Sequence, residues 1–196
     1  TYITTIIGLI FAGVLLMISS SSTNLLFEGM IINDSLAIFF KWLILLSTLS
    51  IVLISRDDGS VLDEVKGEYY AMLLIITLGM FAMVSAKNLL MVYLAIEMVS
   101  IPSYIIAGIS KNDRESNEAS LKYVIYGSFA SGIMLFGLSF LYGIAGSLDI
   151  NVVASKLSSF DSSLTVYMVI IFILVGFGYK ISMVPFHYWT PDVYQG

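Results

Sequence analysis

Cysteine is absent from this 196-residue chain, histidine occurs once and proline three times. Without thiolates it cannot build a cysteine zinc site, an iron–sulfur cluster or a disulfide, and a single imidazole cannot ligate a haem on both faces. Electron chemistry is thereby left to other polypeptides. Charge is also scarce: charged residues make up 12%, Asp and Glu (14) outnumber Lys and Arg (9), and the net charge is −5. No basic cluster is available for nucleic acid or anionic lipid. The first apolar stretch begins at residue 1 with neither a basic n-region nor a cleavage site, so it reads as a spanning helix and not as a signal peptide. No repeat with a period of roughly 20–50 residues is visible.

What the chain has in excess is hydrocarbon. Hydrophobic residues reach 58% and the mean hydropathy is +0.94, far from soluble averages, so the partner is the lipid bilayer. The apolar runs are continuous and not alternating, which favours helices over a barrel. Runs at about 1–18, 36–54, 69–86, 89–109, 119–145 and 164–184 predict an all-α polytopic bundle of about six transmembrane helices in one domain over 1–196. Six crossings place both ends on one side. Only a few residues around Lys87 and Asn88 separate the third run from the fourth, so those helices must be antiparallel neighbours.

Arg56 and Lys66 fall in the second link and Lys111 and Arg114 in the fourth, against Lys87, Lys156 and Lys41 on the opposite side. The positive-inside rule then assigns the second and fourth links to the cytoplasm. Gly127/Ser131, Ser128/Gly132 and Ser139/Gly143 are small residues four apart in the fifth run, spacing that admits a close helix neighbour. The serine-rich stretches 19–22 and 155–163 read as polar loops.

The chemistry is expected where charge interrupts hydrocarbon. Residues 88–108, NLLMVYLAIEMVSIPSYIIAG, carry one carboxylate, Glu97, near their middle. An ionisable group at the centre of a membrane helix costs roughly 3 kcal/mol, so Glu97 should face protein, trapped water or a basic partner. Lys180, about sixteen residues into the sixth run and flanked by Gly176 and Gly178, is the best candidate for that partner. A desolvated amine tends to release its proton and a desolvated carboxyl to keep one, while each stabilises the other's charged form when close. Such a pair can exchange protonation as its separation changes. Pro185 and Pro191 should break the helix just beyond Lys180, and Pro102 should bend the fourth helix, with Ser100 and Ser103 available to its freed carbonyls. Broken backbone at membrane depth is tolerated where protein or a water-lined cavity satisfies it.

Plainer readings compete. Glu97 could be a structural ion pair holding the bundle, and Lys180 could snorkel to the interface. Lys122 lies four residues after Glu118 and could form an ordinary surface pair or play a buried role. His187 could relay protons or cap the broken helix among interfacial Tyr188 and Trp189.

The stretches EASLKYVIYGSFASGIMLFGLSFLYGIAGSLD and GFGYKISMVPFHYWTPDVYQG resemble the antiporter-like membrane subunits of respiratory complex I, the proton-pumping NADH:quinone oxidoreductase. The resemblance runs from about 69 to 196, the part of the chain assigned to the first repeat, and 1–68 fit by hydropathy. It implies a proton-translocation role for Glu97, Lys122, Lys180 and His187, in a fold of about fourteen helices in two inverted halves, of which this chain covers part of the first and omits the first helix. It implies a translocase subunit without redox catalysis or a cofactor of its own, with NADH, flavin, iron–sulfur clusters and quinone in partner subunits. A neighbouring antiporter-like subunit and a small three-helix subunit are the implied contacts, in a bacterial inner membrane or an organellar one. The rival expectations are a cation/proton antiporter or membrane-bound hydrogenase subunit, a structural membrane anchor, and, least favoured by its helix count, a retinal protein with Lys180 as the Schiff-base lysine.

Overall fold

The computed structural model describes residues 1–19, 22–56, 64–159 and 164–195. Eight helices are present among them: α1 (Tyr2–Ile18), α2 (Ser35–Ile54), α3 (Lys66–Val84), α4 (Leu89–Ala107), α5 (Arg114–Ala145), α6 (Ile150–Ser159), α7 (Leu164–Lys180) and α8 (Trp189–Gln195). α2, α3, α4 and α5 are long and apolar enough to cross a membrane. α1 and α7 are apolar but have 17 residues each, about 26 Å at the helical rise, roughly a turn short of the hydrocarbon core. The outer surface is studded with exposed Ile, Leu, Phe and Met, among them Met17, Phe129 and Ile171, which is the surface a bilayer covers.

Helix starts follow local capping chemistry. Asp34 accepts the Ala37 N–H at 2.7 Å to open α2, Asn88 accepts from Leu90 at 2.9 Å to open α4, and Asp113 accepts from Glu115 at 3.0 Å to open α5. α5 ends at Gly146, whose φ of +70° allows a left-handed cap. The helices pack in a row α1–α2–α3–α4–α5–α7, and α5 also carries α6 and α8. Three apolar clusters hold the row: Leu9, Val52 and Tyr70 between α1, α2 and α3; Ile96, Met134, Leu138 and Val169 between α4, α5 and α7; and an aromatic group of Tyr104, Tyr123, Tyr179 and Trp189.

Several features depart from the sequence expectation. The first link holds an antiparallel hairpin, β1 (Ser22–Leu26) and β2 (Ile31–Asn33), in which Leu26 pairs with Ile31 and Ser22 with Asn33. Its edge is not free: Ile32 N–H donates to Ser85 O at 2.8 Å, and Lys87 N–H to Met30 O at 2.9 Å. The same turn reaches the α5–α6 link, where Leu89 N–H donates to Leu148 O at 2.9 Å. Residues 155–159 belong to α6 and not to a loop, because Asp149 caps that helix by accepting from Asn151 and Val152; residues 20–21 and 160–163 of the two serine stretches lie outside the described residues.

The close helix contacts fall only partly where the small-residue pairs placed them: the Gly127 position is tightly packed, whereas Gly132 and Gly143 are not. Nothing stands within 4 Å of a Cβ built on Gly132 or Gly143, so those glycines face open space. The intimate α5–α7 contact is made by Gly137, against Phe172 and Ile173, and by Gly176, against Met134. Gly127 abuts Tyr104 and Tyr179, and Gly178 abuts Met183 and Phe186.

The break in the last apolar run comes at Lys180, five residues before Pro185. Ser182 N–H returns to Tyr179 O at 3.1 Å and Met183 N–H to Gly178 O at 2.8 Å, with Ser182 itself left-handed at φ +56°. That pair of bonds is a Schellman cap. Pro185 keeps Val184 out of helical geometry and lacks the N–H that would continue the ladder, so the cap forms upstream of it. Pro191 interrupts nothing: it lies in the first turn of α8, where a missing N–H costs little. α4 runs unbroken through the buried Pro102; the Ser100 and Ser103 hydroxyls donate to Ile96 O and Val99 O, and not to the Met98 carbonyl that Pro102 frees.

Candidate functional site

α4 and α5 are antiparallel and in close register, with Ser120 Oγ donating to Tyr104 O at 2.8 Å and Ser116 Oγ to Ala107 O at 2.8 Å. That register carries Glu97, eight residues from Leu89 and ten from Ala107, to the level of Ser131 on α5. Ser131 Oγ donates to Glu97 Oε1 and also lies 3.2 Å from the Tyr93 hydroxyl. From the other side α7 brings Lys180, whose Nζ donates to Ser100 Oγ at 3.0 Å and sits 5.8 Å from the centre of the Tyr123 ring.

Glu97 and Lys180 are both half-buried and line one cavity, together with Ser100, Ser131, Tyr104 and Met134. The space is about 10 Å³, room for about one water molecule. Among the described residues the two head groups are not joined directly as an ion pair. The acid is held by one serine and the amine by another. The structure thus brings together the two groups that the sequence pairs, with hydroxyls between them.

Lys122 is elsewhere. Its Nζ is bridged to Asp192 of α8 at 2.7 Å and to Glu118 at 2.9 Å, and it lines a separate polar hollow with Glu115 and Gln195. Every charge of α5 lies within 114–122, and the next 23 residues carry none, so Lys122 stands at the edge of the span. Between it and the Glu97–Lys180 cavity stand aromatic rings: Tyr123 stacks on Trp189 at 4.4 Å and 10°, and meets Tyr104 edge-on at 4.6 Å.

Trp189 is 7% exposed and donates its indole N–H at 3.2 Å to Tyr179 O, the carbonyl that also accepts the Ser182 N–H in the cap of α7. It is therefore a buried strut and not a belt residue, whereas Tyr188 at 72% exposure suits the interface. His187 stacks on Tyr188, its carbonyl accepts from Thr190 N–H at 3.0 Å, and its Nδ1 is buried without a hydrogen-bond partner. It does not line the Glu97–Lys180 cavity.

Sequence reasoning missed Ser131 and the Lys180 contact of Ser100, and it passed over Asp192. The signal for Ser100 was its place one turn after Glu97. Ser131 and Asp192 sit on other helices, and only tertiary register shows them. The arrangement offers an acid, an amine and space for about one water inside a protein-lined interior, which suits proton exchange.

Known proteins resemble this chain. NADH-quinone oxidoreductase subunit N of Anaeromyxobacter sp. is 44% identical over 93% of this chain and 37% of its own length. Subunit N 2 of Chloroherpeton thalassium is 45% identical over 97% of this chain and 38% of its own. The chain therefore spans little more than a third of these relatives. A chain of the respiratory complex I structure from Thermus thermophilus superposes with a TM-score of 0.79 at 31% identity, covering 100% of this chain and 42% of that one. A chain of an archaeal membrane-bound sulfane sulfur reductase superposes at 0.81, with 20% identity over 99% of this chain and 41% of that one, a likeness of fold alone. Residues 86–196 match the profile of a transmembrane family, and on that match, which covers more than half its length, this integral membrane chain belongs to the NADH:quinone oxidoreductase/Mrp antiporter family.

Proposed function

We propose that the intact subunit moves protons in the membrane arm of a NADH:quinone oxidoreductase, and that Glu97 and Lys180 form one of its loading stations. The observation that carries this reading is the shared cavity: an acid on α4 and an amine on α7, both inside the bundle, with room for a single water between them. A carboxylate near an ammonium favours the charged form of each, and separating them weakens that preference. Motion of α7 against α4 would therefore load or release a proton at Lys180 Nζ. Lys122, already neutralised by Asp192 and Glu118, would take part when that ion pair opens. His187, with its buried unpartnered Nδ1, would serve the broken segment.

The relatives' names support complex I over an antiporter, which the family also includes. On this reading quinone reduction drives the motion. NADH, flavin, iron–sulfur clusters and quinone belong to partner subunits, the neighbours are other membrane-arm subunits, and the membrane is the bacterial plasma membrane. The test is Lys180→Ala in the assembled complex. Proton translocation should be abolished while the peripheral arm still reduces an artificial acceptor; normal pumping by that variant would end the proposal.

A further inference from the structure

We infer that Ser100 and Ser131 are positioning residues that hold the amine and the acid apart, each hydroxyl competing with the direct Glu97–Lys180 contact. This rests on the loading-station reading above and adds to it the groups that set the separation. Ser100 is 2% exposed, and its single hydroxyl proton is committed to Ile96 O at 2.7 Å. Only a lone pair is left to face Lys180 Nζ at 3.0 Å. Ser100 is therefore a fixed acceptor for the amine and not a relay, and it draws the amine to a point where Glu97 is not in direct contact.

Ser131 acts on the acid. A hydroxyl has one proton to give, and Ser131 is placed to give it either to Glu97 Oε1 or to the Tyr93 oxygen, 3.2 Å away; while Glu97 is ionised the proton goes to the carboxylate. If Glu97 gains a proton the sense reverses: the carboxyl donates to Ser131 and Ser131 to Tyr93. The Tyr93–Ser131–Glu97 row can thus satisfy both protonation states without moving a heavy atom. Neither serine needs to accept a proton from bulk water. Together they make the separated pair a resting arrangement, from which closure requires breaking one charge-assisted hydrogen bond at each end.

The test uses the full-length subunit in its assembled complex in native membranes. Quinone-linked proton translocation is divided by the artificial-acceptor rate, so that differences in assembly cancel. Ser100→Ala and Ser131→Ala should each lower that ratio about tenfold, the factor expected for one lost hydrogen bond to a charged group. Ser100→Thr and Ser131→Thr, which keep the hydroxyl, should stay within about twofold of the parent. Should the alanine variants fail to assemble, Ser100→Cys and Ser131→Cys decide, because a thiol is close in shape but a weak hydrogen-bonding partner. A packing role would give the opposite order, with the bulkier threonine worse than cysteine or alanine, and that order would overturn the inference. So would alanine or cysteine variants within twofold of the parent. Lys180→Ala run alongside separates the two ideas: if it abolishes pumping while the serine variants do not matter, only the serine inference fails, and if it pumps normally the loading station itself fails.

Discussion

Glu97 is the only charge in α4, and it is balanced without a direct counter-ion: Ser131 donates to it and Lys180 stands across a one-water space. Glu97→Gln preserves shape and can still bond Ser131 through its amide, so the packing of α4 on α5 should survive. What disappears is the charge that draws a proton onto Lys180. Coupled proton translocation should then fall severalfold, while artificial-acceptor activity is retained. Unchanged translocation in assembled membranes would return Glu97 to a purely structural role. Lys122 shows why residue type and spacing did not suffice. Its i,i+4 pair with Glu118 was legible in the sequence, whereas its second bridge, to Asp192, joins positions 70 apart. Long-range partners of this kind are set by helix register, which a single sequence does not contain.

Helices α5 and α7 meet where glycine removes a side chain. A Cβ on Gly137 would lie 2.9 Å from Phe172 Cβ and 3.2 Å from Ile173 N, contacts made by backbone-proximal atoms that cannot swing away. Gly137→Ala should therefore cost about 1–3 kcal/mol through overpacking, partly offset by about 1 kcal/mol of helix propensity. Gly132→Ala, facing open space on the same helix, should be neutral or stabilising. Thermal denaturation of the detergent-solubilised complex would compare them, and equal melting temperatures would contradict the α5–α7 packing. The apolar runs made six of the helix bodies legible, α1, α2, α3 and α4 to within three residues at each end and α5 and α7 to within five, because continuous hydrocarbon has few other outcomes. They left α6, α8 and the hairpin unread. Those elements are short, and they are stabilised by what they touch: Asp149 capping α6, Trp189 docked on Tyr179, and the hairpin bonded to the α3–α4 turn. The proline rule found the break but set it too far along, because the Schellman cap at Ser182 satisfies the last carbonyls before the chain reaches Pro185.

At the scale of the molecule the two ends of the bundle differ in kind. At one end the hairpin, the α3–α4 turn and the α5–α6 link are joined by backbone hydrogen bonds, and Lys41 Nζ donates to Asn33 Oδ1 at 2.9 Å. The other end carries Arg56, Lys66, Lys111 and Arg114, together with the Lys122–Asp192 bridge. Helix alternation requires the two ends to face opposite compartments, and the bias of positive charge predicts that the second faces the cytoplasm. Single replacements at exposed positions test this, read against the unsubstituted subunit as background: Glu28→Cys in the hairpin turn and Asn112→Cys in the α4–α5 link. In inverted vesicles, whose cytoplasmic face is outward, a membrane-impermeant maleimide should label Asn112→Cys and spare Glu28→Cys, and the pattern should exchange in right-side-out spheroplasts. Labelling of both from one side would contradict the helix alternation, whereas a clean reversal would keep the fold and invert the direction in which the proposed Glu97–Lys180 station would load. The charge bias is four residues against three, so orientation is the property of this bundle that depends most on a few side chains and least on its hydrocarbon.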